Sequence, residues 1–208
     1  MPPARSISAR QESLTHLPGE PGVWVFILGD MLMFALFFGV FVHYRAQDPA
    51  LYLQSQTTLN QSFGAINTML LLTSSWFVVG AVQDARNQRA GRGCTRIILA
   101  FLCGAGFITV KFFEYREKIS AGITLTSNDF YMYYYMLTGI HLLHVVLGMG
   151  VLVFLWRTLR RSIAHQGTLP PNTRSQESVV AHLESGASFW HLVDMLWIFL
   201  FALLYLMK

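Results

Sequence analysis

Residues 130–156, FYMYYYMLTGIHLLHVVLGMGVLVFLW, contain no Asp, Glu, Lys or Arg. This run constrains the chain more than any other feature, because about 20 helical residues, each rising about 1.5 Å, span the hydrocarbon core of a bilayer. Its first third is aromatic, with Phe130, Tyr131, Tyr133, Tyr134 and Tyr135. Tyrosine is amphipathic and settles at headgroup level, so that end marks a membrane interface. Further along, His141 and His144 are three residues apart and share a helix face. Thr138, His141, Val145 and Gly148 form a stripe of polar and small side chains, which belongs against other helices rather than lipid.

Four more apolar segments supply that company. Residues 23–42 are interrupted only by Asp30. Residues 63–82 are uncharged and place Gly64, Asn67, Leu71, Ser74 and Val78 along one packing face. Residues 97–113 carry Lys111 near their end, with Glu114 just beyond, and residues 188–207 contain His191 and Asp194. None shows the alternation of a β-barrel strand. Only 12% of the chain is charged, about half the share in a soluble domain. The expected fold is an all-α integral membrane protein, a bundle of five transmembrane helices at about 23–44, 63–82, 96–117, 130–156 and 188–207. A polar tail, 1–21, precedes a single membrane domain, 22–208. The tail has neither the apolar stretch nor the small-residue site of a cleaved signal peptide. Cys94 and Cys103, nine residues apart on one helix, are too distant to bridge and read as packing residues.

Basic residues set the expected orientation. Arg5, Arg10, Arg86, Arg89, Arg92, Arg96, Arg157, Arg160, Arg161 and Arg174 fall on one side, and Arg45, Arg116, Lys118 and Lys208 on the other. The positive-inside rule then puts the N-terminus in the cytoplasm and the C-terminus outside. This clustering also accounts for the net charge of +4 without a nucleic-acid partner. Residues 46–61 read as a polar exterior loop. Residues 157–187 read as a solvated cytoplasmic loop with a short helical turn near 176–183.

Ionisable groups at bilayer depth need a partner or a function. Helix rise places Asp30, His141, His144, His191 and Asp194 at comparable heights, in the cytoplasmic half or near the midplane, which permits one interhelical polar cluster. Lys111 and Glu114 fall near the outer end, where they pair at i,i+3 or snorkel. The cluster admits a metal or haem site, in which His141 and His191 would have to face each other. It admits proton handling centred on Asp30. It admits a structural role, with hydrogen bonds across helices fixing the packing, and residue chemistry favours this last reading. The expectation is that no metal is bound. Trp24, Trp156 and Tyr205 read as interface anchors. No nucleophile elbow, phosphate loop, dinucleotide fingerprint or zinc-protease helix occurs, so no catalytic residue is expected.

Four stretches resemble subunit III of the haem-copper oxidases, over about 21–207. They are Gly-Val-Trp-Val-Phe-Ile-Leu-Gly-Asp-Met-Leu-Met-Phe around Asp30, Phe-Phe-Glu-Tyr at Glu114, Thr-Gly-Ile-His-Leu-Leu-His-Val at 138–145 and Trp-His-Leu-Val-Asp-Met-Leu-Trp at 190–197. The last two, in this order and separation, are the specific ones. The opening Pro-Gly-Glu-Pro-Gly-Val-Trp-Val-Phe and the run Phe-Glu-Tyr-Arg-Glu-Lys look closest to the five-helix NorE-type branch linked to denitrification. Quinol-oxidase members share the five-helix length. Longer members have seven helices, and this chain matches from their third, so their lipid-holding cleft is not expected here.

The resemblance implies a non-catalytic accessory subunit in a bacterial inner membrane. It would bind no haem or copper itself and would pack beside a catalytic subunit I that holds both, in a cytochrome c oxidase, quinol oxidase or nitric oxide reductase. It also implies that Asp30 occupies the family's acidic position related to proton uptake, and that membrane lipids are further partners. The rival reading is a stand-alone small transporter or channel using the Asp/His cluster, which predicts broken helices around a water path.

Overall fold

The computed structural model describes residues 21–165 and 173–207. Among the described residues six helices follow in order: α1 (Pro21–Gln47), α2 (Pro49–Thr57), α3 (Gln61–Arg86), α4 (Ala90–Ser120), α5 (Asp129–His165) and α6 (Thr173–Phe201). A π-helical turn, Ala202–Leu206, continues α6. All but α2 are long and apolar enough to cross a membrane.

Each spanning helix outruns its apolar segment, because hydrophobicity marks only the lipid-embedded part while backbone hydrogen bonding continues past it. The expected loop over 157–187 is therefore mostly helix. It comprises the end of α5 to His165 and the start of α6 from Thr173, while 166–172 lie outside the described residues. Leu183 and Ala187, one turn apart on α6, are 1% and 6% exposed, so the supposed solvated loop carries a packing face. The expected exterior loop 46–61 is corrected in the same way, since it contains α2. Asp48 caps α2, its side chain accepting from the Leu51 N–H at 3.1 Å, and Pro49 opens it. Tyr52, Ser55, Gln56 and Leu59 are buried at helical spacing. The polar tail expected over 1–21 precedes the described residues except for Pro21.

Short connections force α3, α4, α5 and α6 to alternate in direction. Each packs on the next, and α6 returns to α3, closing a ring of four. Gln88, with a φ of 58°, turns the chain between α3 and α4. The stripes read from sequence face inward: Gly64, Asn67, Leu71, Ser74 and Val78 of α3 are buried, as are Thr138, His141, Val145 and Gly148 of α5. Trp190 and Trp197 of α6 fill the interior and are fully enclosed. Glycine makes room for them: a Cβ at Gly148 would lie 2.8 Å from the Trp190 ring, and one at Gly104 would lie 3.1 Å from it. Helix α1 rests outside the ring against α5 and α6, leaving Val25, Leu28, Leu32 and Leu36 65–73% exposed.

Candidate functional site

Two polar centres lie within the bundle. The first joins α4, α5 and the C-terminal turn. Lys111 Nζ lies 2.9 Å from Glu114 Oε2, and each of these side chains is 1% exposed. Glu114 Oε1 accepts from the Tyr134 hydroxyl at 2.8 Å and from that of Tyr205. Lys111 donates to Tyr205 at 3.0 Å and stands 4.9 Å from the centre of the Trp197 ring. The i,i+3 spacing brings the pair together, but snorkelling is corrected: Lys111 and Glu114 sit about 14 and 9 Å inside the end of α4 by helix rise. Tyr134 and Tyr205 close over them. The ammonium is held by carboxylate, hydroxyl and ring faces, which together offset its loss of water. Tyr205 is therefore no interface anchor, being 3% exposed. Sequence reasoning missed these tyrosines. Tyr134 was findable, because it continues the stripe of Thr138, His141, Val145 and Gly148 one turn back. Thr138 itself is bonded to the Tyr115 hydroxyl at 2.6 Å.

The second centre attaches α1 to α5. His144 Nε2 lies 3.0 Å from Asp30 Oδ1, and its Nδ1 lies 2.8 Å from the Ile140 carbonyl. A carbonyl can only accept, so Nδ1 carries a hydrogen. The contact to Asp30 then needs a second proton, on Nε2 or on the carboxyl. The pair is neutral in either arrangement, which makes it less costly to bury than a lone carboxylate. Phe34 packs edge-on against the imidazole at 5.4 Å. Asp30 Oδ2 is buried and has no hydrogen-bond partner.

The remaining members of the expected cluster make no hydrogen bond to this pair among the described residues. His141 is fully buried between Phe107 and Trp197, with ring centroids 5.6 and 5.3 Å away, and neither of its nitrogens is hydrogen-bonded. It packs as an aromatic ring and forms no cross-helix bond. His191 Nδ1 meets the Ser75 hydroxyl of α3. Asp194 is 4% exposed beside Ser75, and among the described residues neither of its oxygens completes a hydrogen bond. Since α6 starts at Thr173 and its span runs over Ser178–Leu206, His191 and Asp194 lie near mid-depth rather than close to its start. Among the described residues no hydrogen bond links them to Asp30 or His144. Of the five expected cluster members Asp30, His141, His144, His191 and Asp194, only Asp30 and His144 are hydrogen-bonded to each other among the described residues. Among the described residues, no three His, Cys, Asp or Glu side chains are grouped to hold a metal ion.

At the arginine-rich end, Arg96 Nε lies 3.2 Å from Asp84 Oδ2 and Arg86 lies 2.7 Å from Glu184. These partly exposed pairs tie α3 to α4 and to α6, each for little energy.

Five long apolar helices around buried polar groups define a multi-pass membrane protein. Its family is shown by comparison. The family described as cytochrome c oxidase subunit III matches residues 19–208, and the chain belongs to it. Cytochrome c oxidase subunit 3 of Bacillus subtilis is 32% identical over 191 residues, covering 89% of this chain and 84% of that protein. Cytochrome bo(3) ubiquinol oxidase subunit 3 of Pseudomonas aeruginosa is 28% identical over 89% of this chain and 83% of its own length. A heme-copper oxidase subunit I+III of Aeropyrum pernix is 25% identical over 88% of this chain, which corresponds to 22% of that longer protein.

Proposed function

We propose that this chain is the accessory, non-catalytic subunit III of a haem-copper respiratory complex in a bacterial inner membrane, with its N-terminus in the cytoplasm. It packs beside subunit I, which holds the haem and copper, and binds neither itself. The observation that carries this reading is the relative whose name joins subunits I and III in one chain, with this chain aligned along most of its own length. Covalent union of two proteins fits a pair that works side by side. The uninterrupted spanning helices count against a stand-alone channel, which would require broken ones.

Purification in a mild detergent tests the role. A haem-bearing partner with Soret absorption, in fixed ratio to this chain, is the expected result. A homo-oligomer lacking such a partner would refute it. The N-terminal wording supports a finer assignment to the NorE-type branch, whose catalytic partner reduces nitric oxide. The relatives named above carry oxidase names, and turnover of the purified complex with oxygen or nitric oxide separates the two.

Within this role Asp30 and His144 form a neutral proton-holding pair that supports proton uptake by the partner. Asp30→Asn keeps the size and a hydrogen bond but removes the ionisable carboxyl. The complex should assemble normally yet lose turnover or lifetime under continuous operation. Turnover and lifetime both equal to wild type would retire the proton role and leave the pair a packing device.

A further inference from the structure

The outward face where α3 meets α6 differs from the other lipid-facing surfaces. His191 is only partly buried there, and among the described residues its Nε2 has no hydrogen-bond partner. Trp76 is 71% exposed on the same side. Helix rise puts Ser75 and Trp76 about 15–23 Å from either end of the α3 span, and His191 about 20 Å from either end of the α6 span. These groups are at mid-depth, where no water and no headgroup reaches them. Tryptophan ordinarily sits at the interface, and a lipid tail offers nothing to an imidazole nitrogen or an indole N–H. Around them Leu72, Val79, Met195 and Ile198 are 40–51% exposed. The outer face of α1, by contrast, presents Val25, Leu28, Leu32 and Leu36, aliphatic side chains suited to lipid.

We propose that the α3/α6 face is where a transmembrane helix of the catalytic subunit docks, presenting a hydrogen-bonding side chain to His191. This rests on the accessory-subunit reading and names the face it uses. Nδ1 is engaged by Ser75, so Nε2 is the ring nitrogen left to bond across the interface. The main-chain groups of an intact helix are already occupied, so the partner group is a side chain: a carboxylate, an amide or a hydroxyl.

A photo-reactive benzoylphenylalanine placed at Leu72, Val79 or Ile198 in the intact membrane complex should, on irradiation, give an adduct containing the haem-bearing subunit. The same residue at Leu32 of α1 should not. Adducts with that subunit from Leu32 alone, or only phospholipid adducts from the α3/α6 positions, would overturn the proposal. In parallel, His191→Leu should lower the haem retained per chain in detergent about threefold to tenfold, with His191→Gln restoring most of it. Unchanged retention in His191→Leu would also overturn it. Haem that co-purifies while this face yields only lipid adducts retires the face and leaves the accessory role standing. Absence of co-purifying haem retires both.

Discussion

Replacing Lys111 by Met removes the cation from a charge pair whose two side chains are each 1% exposed. At 2.9 Å and an effective dielectric of about 20, the attraction is about 6 kcal/mol. Desolvating the two ions offsets several kcal/mol for each, so the intact pair contributes little net stability. Breaking it is different, because Glu114 stays enclosed without its counter-charge, at a cost of about 3–5 kcal/mol. Two tyrosine hydroxyls remain on Glu114 Oε1, which places Lys111→Met near the lower figure. The double variant Lys111→Met/Glu114→Gln removes both charges and should be more stable than Lys111→Met alone. The cycle should then show a coupling of about 2 kcal/mol or more. Denaturant unfolding in detergent micelles, followed by tryptophan fluorescence, reads all four proteins. Additive effects, within about 0.5 kcal/mol, would show that the two side chains do not act as a buried ion pair.

Other consequences follow from the packing and the connections. Gly148→Ala would set a Cβ 2.8 Å from the enclosed Trp190 ring. It should cost about 1–3 kcal/mol, while Gly150→Ala, with nothing within 4 Å, should be neutral or slightly stabilising in the same unfolding assay. Gln56 Nε2 reaches the carbonyls of Leu203 and Leu204, and Gln61 Nε2 that of Tyr205, at 3.0–3.3 Å. Gln56→Ala and Gln61→Ala should each cost about 1 kcal/mol, and hydrogen exchange of the amides at 203–207 should accelerate. Burial pushes the Tyr52 hydroxyl, outside the spanning segments, up from 10.0 to about 12. Its contribution to stability is thus present below about pH 10 and is lost as the pH climbs from there to about 12. Tyr52→Phe should flatten that part of the unfolding profile, and an unaltered profile would refute the assignment.

Five crossings and their packing faces were legible in the chain because both are local properties. An apolar run of sufficient length has few alternatives in a bilayer. Small and polar residues at helical spacing, such as Gly64 to Val78 and Thr138 to Gly148, have to face inward wherever the neighbours stand. Helix ends were less legible. Hydropathy reports where lipid stops, and α6 passes that point by a dozen residues or more through Leu183 and Ala187. The helical spacing of Tyr52, Gln56 and Leu59 was similarly hidden by the polar composition of their segment.

The pairing of polar groups between helices was decided by tertiary structure alone. Depth along a helix follows from sequence once its ends are known, and the early start of α6 moved His191 and Asp194 to mid-depth. Rotation about each helix axis cannot be counted that way. It sent His144 to Asp30, turned His191 outward to Ser75 and buried His141 between aromatic rings. Tyr205 reaches Glu114 across 91 residues because a π-helical turn ends α6 and the ring of four helices closes α6 against α3. Sequence fixes what each helix must hide from lipid, whereas the partner of a hidden charge depends on the packing of helices far apart in the chain.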